Sequence, residues 1–174
     1  ASHKDLTEAY RRALAGDPVA AFGGIVASNR IINLAAAQEI DKTHYDAIVA
    51  PGYQKKALEL LRRKESLRLI KTAPYRPSSS KSQRDLRRVR GGLLAQTPDT
   101  LARAELKPRV VTKRQPTKAE LSDLLFAWKA VKGVKSNAIV IAQDKALLGM
   151  GAGQPSRVVS VELALKKAGN KAKG

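Results

Sequence analysis

The sequence predicts an α/β fold with a largely parallel sheet. Short apolar runs alternate with segments of helical periodicity, which is typical of βαβ units. Residues 22–27 predict a double-glycine turn that enters a short strand, and further strands are predicted at 47–50 and 67–70. Helices are predicted between them at 34–42 and 54–64. Since 43% of the 174 residues are hydrophobic, the chain can also bury a core.

An amphipathic helix is predicted ahead of the first strand. Apolar residues recur there at intervals of three and four, so they share one helical face. They are Leu6, Ala9, Tyr10, Ala13 and Leu14. Ser2 and Asp5 are predicted to cap this helix at its start, and Gly16 is predicted to end it.

Local signals also limit the strands and helices that follow. The double glycine Gly23-Gly24 predicts a turn into the first strand, and Asn33 is predicted to cap the helix 34–42. Pro51-Gly52 ends the second strand, because proline lacks the amide donor that a central strand needs.

The middle of the chain predicts a change of organisation. Residues 72–84 hold two prolines and three consecutive serines, which predicts a surface loop. Residues 89–96 are predicted to form one strand, and 97–108 a loop with a short helical stretch. We therefore place a domain boundary at 97–108, between a first lobe of residues 1–96 and a second lobe of residues 109–174.

The second lobe begins with a strong helix signal. Thr117 and Glu120 have the spacing of a capping box, and apolar residues then follow at helical spacing. The predicted apolar face comprises Leu121, Leu124, Leu125, Trp128 and Val131. Two strands are predicted at 136–142 and 146–150, then a last helix at 155–167, and the tail 170–174 is expected to fray.

The composition excludes several classes of site. The chain has no cysteine, which excludes disulfides, thiolate metal sites and cysteine nucleophiles, and fits a reducing, cytoplasmic location. No segment approaches the ~18 consecutive apolar residues of a membrane span, so no membrane association is expected. No secretory signal is evident. Because the chain starts at Ala1 rather than Met, we interpret it as processed or cut from a longer polypeptide.

The charge predicts an anionic partner. Lys and Arg total 33 against 15 Asp and Glu, a net charge of +18. Nucleic acid, a nucleotide phosphate and a polyanionic co-substrate all fit this balance. The basic clusters lie at 62–64, 84–90 and 166–167. Since aromatic residues make up 4% and do not interleave with these clusters, solvated basic faces are favoured over a base-stacking surface.

A glycine-rich loop before a helix is the strongest local candidate for a ligand site. Gly149, Gly151 and Gly153 precede Arg157, and glycine lets a backbone approach a ligand closely. A helix N-terminus and a guanidinium together suit a phosphate. The alternative is a tight strand-to-helix turn with an exposed arginine. The spacing is not that of a dinucleotide fingerprint.

Other candidates each have a structural alternative. Asn137 has donor and acceptor groups that fit a ligand amide, although such residues more often bond nearby backbone. Phe22-Gly23 fits a recognition corner or a packed turn. Asp46 fits a ligand hydroxyl or a surface ion pair. His3 and His44, the two histidines, are interpreted as exposed or capping residues, and neither has the spacing of a metal site.

A series of segments resembles one known family across nearly the whole chain. The segments are Asp17–Arg30, Ile48–Tyr53, Leu86–Leu94, Val110–Thr117, Asp123–Lys129, Val134–Val140 and Gly149–Arg157. In order and spacing they are similar to the formyltransferase module of bifunctional purine biosynthesis proteins. That module is phosphoribosylaminoimidazolecarboxamide (AICAR) formyltransferase, which the family joins to inosine monophosphate cyclohydrolase.

The resemblance implies a reaction, a fold and an assembly. The formyl group of 10-formyltetrahydrofolate, the co-substrate, would pass to the amine of the AICAR ribonucleotide in purine biosynthesis. The lobes would resemble the cytidine deaminase fold, with helices around mixed, largely parallel sheets, but without its zinc. A homodimer with sites at its interface is also implied.

The resemblance further assigns residues. Phe22 and Gly23 match the corner that contacts AICAR, and Asp46 matches a nucleotide-binding acid. Asn137 matches an AICAR contact, and Arg157 matches a nucleotide-binding arginine. A folate-facing aliphatic position matches Val158.

Some family motifs do not occur in this sequence. The catalytic Lys-His pair of a Lys-His-x-x-Pro-x-Gly segment is missing, and His3 does not align with it, so no catalytic residue is assigned. We expect a central fragment with both lobes incomplete, inactive alone. The alternatives are a basic nucleic-acid-binding module, which is not favoured, and a non-catalytic subunit of the purine pathway.

Overall fold

The computed structural model describes residues 1–73, 84–99, 106 and 108–173. The chain divides into two compact units, Ala1–Tyr75 with Pro116–Gly174, and Arg76–Gln115. Most of the predicted loop at 72–84 and the predicted helical stretch within 97–108 lie outside the described residues. The lobe boundary inferred from the sequence at 97–108 stays a prediction.

The first half of the larger unit alternates helices and strands as predicted. Helix α1 spans Leu6–Leu14, α2 spans Leu34–Asp41 and α3 spans Lys55–Leu61. Strands β1 (Gly24–Ala27), β2 (Tyr45–Ala50) and β3 (Arg68–Lys71) form a three-stranded sheet in the order β1-β2-β3. Both pairings are parallel, with Ala47 of β2 opposite Ile25 and Arg68. The predicted α/β fold is confirmed.

The helix starts follow the predicted caps. Asp5 is the N-cap of α1 and accepts a hydrogen bond from the Glu8 amide at 2.8 Å. Asn33 caps α2 in the same way through the Ala36 amide, also at 2.8 Å. Each carboxylate or amide oxygen satisfies an amide that the first turn of a helix leaves unpaired.

The core of this half lies between the central strand and the three helices. Ile48 of β2, Leu61 of α3 and Ile32 are almost completely buried, and alanines of α2 and α3 allow close packing. Tyr10 and Tyr45 meet edge-to-face, with their hydroxyl oxygens 2.9 Å apart. Burial and this hydrogen bond raise the pKa of Tyr10 well above its usual value.

The smaller unit contains a β-hairpin where the sequence predicted one strand. Strands β4 (Asp85–Val89) and β5 (Gly92–Gln96) pair antiparallel. The prediction of a single strand over 89–96 is wrong, because Arg90 and Gly91 form a turn in which Gly91 has φ +85°. A glycine adopts that conformation without strain, which favours a two-residue hairpin turn.

The second half of the larger unit is a helix, a hairpin and a helix. Helix α4 spans Lys118–Lys132, and β6 (Ile139–Gln143) pairs antiparallel with β7 (Ala146–Gly151) before α5 (Arg157–Ala168). The Thr117–Glu120 capping box at the start of α4 is present. The predicted apolar face of α4 stays partly open, with Leu124 and Trp128 each 59% exposed. The tail, expected to fray, forms a short 3-10 helix at Gly169–Ala172.

An ion pair and a backbone hydrogen bond help to join these halves of the unit. The Lys167 ammonium on α5 lies 2.5 Å from the Asp17 carboxylate, and this ion pair lowers the pKa of Asp17. The Ser2 amide donates to the Lys145 carbonyl at 2.8 Å. Across the described ranges, no helix is both long and apolar enough to span a bilayer.

Candidate functional site

Three of the predicted site residues lie together where β1 and β2 begin. We call Phe22, Gly23, His44 and Asp46 the β1–β2 corner. The Gly23 amide donates to the His44 carbonyl at 3.0 Å, which ties the entry of β1 to the entry of β2. Gly23 has φ +69°, a conformation that a residue with a Cβ rarely adopts. The turn therefore fixes where Phe22 leaves the backbone.

The side chains of this corner are open to solvent and close to one another. Phe22 is 70% exposed, and its ring lies on the His44 imidazole with centroids 5.2 Å apart. On the other side, Nε2 of His44 lies 3.8 Å from Oδ1 of Asp46. An aromatic ring, an imidazole and a carboxylate thus form one continuous polar and apolar surface. Such a surface can stack on a flat ring and accept hydrogen bonds from hydroxyl groups.

The other predicted residues gather where β7 passes into α5. We call Asn137, Gln154, Pro155, Arg157 and Val158 the β6–α5 corner. The Asn137 side-chain nitrogen donates to the carbonyls of Gln154 at 2.9 Å and Pro155 at 2.8 Å. The Asn137 amide also donates to the Gln154 carbonyl at 3.2 Å, and the Ser136–Asn137 peptide bond is cis. Within the described residues, no donor reaches Oδ1 of Asn137, which leaves an acceptor for a ligand.

Helix α5 begins at this corner with its positive end exposed. Ser156 is the N-cap, and its side chain forms no capping hydrogen bond. Arg157 is the first helical residue, and no carboxylate of the described residues pairs with its guanidinium. Free amides, the helix dipole and a guanidinium together favour an anion such as phosphate. Val158, the next residue, is 65% exposed and presents an apolar side chain beside them.

Not all three glycines before α5 belong to the loop that leads to Arg157. A Cβ at Gly149 would lie 2.1 Å from the Ala164 carbonyl oxygen, and one at Gly151 would lie 2.0 Å from that of Ser160. Both glycines therefore let β7 pack closely on α5, and interpreting them as ligand-approach positions was wrong. Gly153 has φ +66°, and its amide donates to the Lys135 carbonyl at 2.7 Å. It alone of the three shapes the loop before Arg157.

The two corners have no direct contact among the described residues. No hydrogen bond, ion pair or ring contact there joins Phe22 or Asp46 to Asn137 or Arg157. His3 bonds the Asp5 backbone at the start of α1, in keeping with its interpretation as a capping residue. Over the same residues, no group of three His, Asp or Glu side chains is placed to hold a metal ion.

Sequence reasoning missed the position of His44. It was interpreted as exposed or capping, and its 46% exposed side chain is indeed at the surface. The structure adds that it touches both Phe22 and Asp46. The available signal was its spacing, because His44 precedes Asp46 by two residues and alternate residues of a strand share a face.

Comparison with known proteins gives a consistent match. The family model described as AICARFT/IMPCHase bienzyme matches residues 1–167. The chain is 47% identical over 169 residues to the bifunctional purine biosynthesis protein PurH of Nostoc punctiforme, covering 97% of this chain and 32% of that protein. It is 48% identical over 170 residues to PurH of Bacillus cytotoxicus, covering 98% and 33%. PurH of Magnetococcus marinus is 49% identical over 164 residues, with coverage of 94% and 31%.

These matches extend along almost all of this chain but not along the relatives. The chain spans about a third of the length of the curated relatives that it matches.

Proposed function

The chain belongs to the AICARFT/IMPCHase bienzyme family, and we propose that it forms the central part of an AICAR formyltransferase. The reaction moves the formyl group of 10-formyltetrahydrofolate to the amine of the AICAR ribonucleotide in purine biosynthesis. The observation that carries the proposal is the exposed start of α5, where Arg157 and free amides are open to a phosphate.

The two corners divide the ligands between them. At the β1–β2 corner, Phe22 and Gly23 contact AICAR, and Asp46 accepts hydrogen bonds from nucleotide hydroxyls. At the β6–α5 corner, Arg157 binds the nucleotide and Oδ1 of Asn137 receives a donor of AICAR. Val158 faces the folate, which its 65% exposure supports. The proposal includes no zinc, in keeping with the absence of cysteine from the sequence.

A homodimer, as the resemblance implies, is part of this proposal. The β1–β2 corner of one copy and the β6–α5 corner of a second copy would enclose one nucleotide at their interface. A cytoplasmic location is part of the proposal. The net charge of +18 favours a nucleotide phosphate and a glutamate-tailed folate as ligands.

The chain alone is proposed to bind its ligands but not to catalyse formyl transfer. The amine must lose a proton as it attacks the formyl carbon and tetrahydrofolate leaves. General-base catalysis of such a step contributes about 10²–10⁴-fold. The Lys-His segment that the resemblance assigns to this work does not occur among the 174 residues.

An assay of formyl transfer tests two proposals, that the chain alone is inactive and that it forms part of an active formyltransferase. The purified chain with AICAR ribonucleotide and 10-formyltetrahydrofolate should release no tetrahydrofolate above background. A hybrid in which this chain replaces the matching third of Bacillus cytotoxicus PurH should restore transfer, and Asn137→Ala in the hybrid should reduce it. A folded hybrid without activity would contradict the proposal, as would rapid turnover by the chain alone.

A second candidate, a nucleic-acid-binding module, rests on the charge alone. It requires tight binding to RNA or DNA whose affinity falls steeply with salt. We expect weak binding to a fluorescent oligonucleotide at low salt and none at 0.2 M salt, on the order of physiological ionic strength. Submicromolar binding at that salt would favour this candidate instead.

A further inference from the structure

One side chain contacts both proposed nucleotide-binding residues of the β1–β2 corner. The His44 imidazole lies 5.2 Å from the Phe22 ring, centroid to centroid, with the planes inclined by 38°. Its Nε2 lies 3.8 Å from Oδ1 of Asp46. Because the resemblance assigns no role to His44, this contact is new to the site.

The arrangement leaves one face of Phe22 free. The Phe22 side chain is 70% exposed although it is a large apolar ring, and the imidazole is the ring partner that the described residues give it. A ring held on one face and open on the other can receive a flat ligand without first losing rotamer freedom. An unsupported phenylalanine at a glycine turn would have to be ordered when the ligand binds.

We propose that His44 is a positioning residue of the nucleotide site and that it acts through Phe22. The inference rests on the proposed function, since it takes the AICAR ribonucleotide as the ligand of this corner. The imidazole ring supports Phe22 in the orientation that leaves its outer face open. The Asp46 carboxylate lies beside the same imidazole, with Oδ1 3.8 Å from Nε2.

The backbone contact of His44 is independent of its side chain. The Gly23 amide bonds the carbonyl of His44, and strand pairing begins at Gly24 with Tyr45. Neither contact uses the imidazole, whose side chain is 46% exposed. A substitution at His44 therefore keeps the turn and the sheet, and its effect on binding reports the ring contact.

The test is a double-mutant cycle on nucleotide affinity. Calorimetry would give the Kd of AICAR ribonucleotide for the chain and for His44→Ala, His44→Phe, Phe22→Ala and the Phe22→Ala/His44→Ala pair. Because Phe22 without the imidazole would have to be ordered when the ligand binds, His44→Ala should raise Kd about three- to tenfold. His44→Phe should stay within twofold of the parent, because it keeps the ring. In the Phe22→Ala background, His44→Ala should add nothing further.

The other possible results would each contradict a part of the proposal. If the parent binds and His44→Ala stays within twofold of it, His44 does not position the site. If His44→Phe binds the nucleotide as weakly as His44→Ala does, His44 does not act through its ring contact with Phe22. The same conclusion follows if the effects of the two alanine substitutions on affinity are fully additive. If the parent itself shows no binding, the proposed function of the chain fails, and the inference fails with it.

The two histidines provide an internal spectroscopic control. Their ring proton signals can be assigned by comparison with His44→Phe and His3→Ala, since the sequence has no other histidine. The His44 signals should move in Phe22→Ala and on adding nucleotide, while those of His3 stay fixed. Equal shifts of both histidines, or of neither, would overturn the inference for a parent that binds.

Discussion

The side-chain amide of Asn137 donates a hydrogen bond of 2.8 Å to the carbonyl of Pro155. This bond holds the approach to β6 against the residue that lies two positions before Arg157. The same nitrogen donates a second hydrogen bond, of 2.9 Å, to the Gln154 carbonyl. Both donors of the amide are thereby engaged, so Asn137 orients the loop while its oxygen remains open to a ligand.

Replacing Asn137 by aspartate should therefore loosen the loop. A carboxylate has no donor, and it would face the Gln154 and Pro155 carbonyls, so we expect a loss of about 1–3 kcal/mol in the free energy of unfolding. Urea denaturation measures this loss. Asn170→Asp is the control, because the Asn170 side chain is exposed and forms no hydrogen bond with the residues that the structure describes. Equal stabilities of the two variants would contradict this role of the Asn137 amide.

The close packing of β7 on α5 gives a second prediction. Gly149→Ala and Gly151→Ala would each place a Cβ about 2 Å from a carbonyl oxygen of α5, and we expect each to lower the free energy of unfolding by more than about 3 kcal/mol. Gly133→Ala is the matched control, since its Cβ would meet no atom closer than 3.7 Å. Thermal unfolding distinguishes them, and a Gly151→Ala variant as stable as the control would refute the packing.

The role of these glycines shows what sequence reasoning resolves and what it does not. The alternation of helices and strands predicts the β1-β2-β3 sheet because each element carries its own periodicity. Glycines with different structural roles look alike in the sequence. A positive φ at Gly153, a close helix contact at Gly151 and a hairpin turn at Gly91 differ in tertiary surroundings, which local pattern does not contain.

The same limit applies to the candidate site. Arg157 follows a glycine loop that opens a helix, so its position at the N-terminus of α5 can be predicted locally. The contact of His44 with Phe22 depends on how two parallel strands align at their starts. Register of that kind is set by tertiary packing, and for this reason His44 was interpreted without reference to Phe22.

Stability should depend on pH through Glu39. The guanidinium of Arg11 and the ammonium of Lys42, 2.9 and 2.8 Å from its carboxylate, lower the pKa of Glu39 to about 2. Because the folded pKa lies below the unfolded value of about 4.3, the stabilisation is complete above that value and is lost as pH falls towards 2.

The measurement compares the parent chain with Glu39→Gln in urea at pH 6, 4 and 3. The parent should be more stable at pH 6, and the difference should shrink on acidification. Glu65→Gln is the control, since no ion pair to Glu65 occurs within the described ranges of the chain. A difference between parent and Glu39→Gln that stays constant over this range would contradict the assignment.

This chain is proposed to carry part of a nucleotide site with Arg157 at its phosphate-binding end. Calorimetric titration with AICAR ribonucleotide tests this proposal, with Arg157→Ala beside the parent chain and Arg68→Ala as the control. We expect saturable binding that Arg157→Ala weakens at least about tenfold, the loss typical of a charged hydrogen bond, while Arg68→Ala binds as the parent does. Binding that both variants retain equally, or none by the parent, would contradict it.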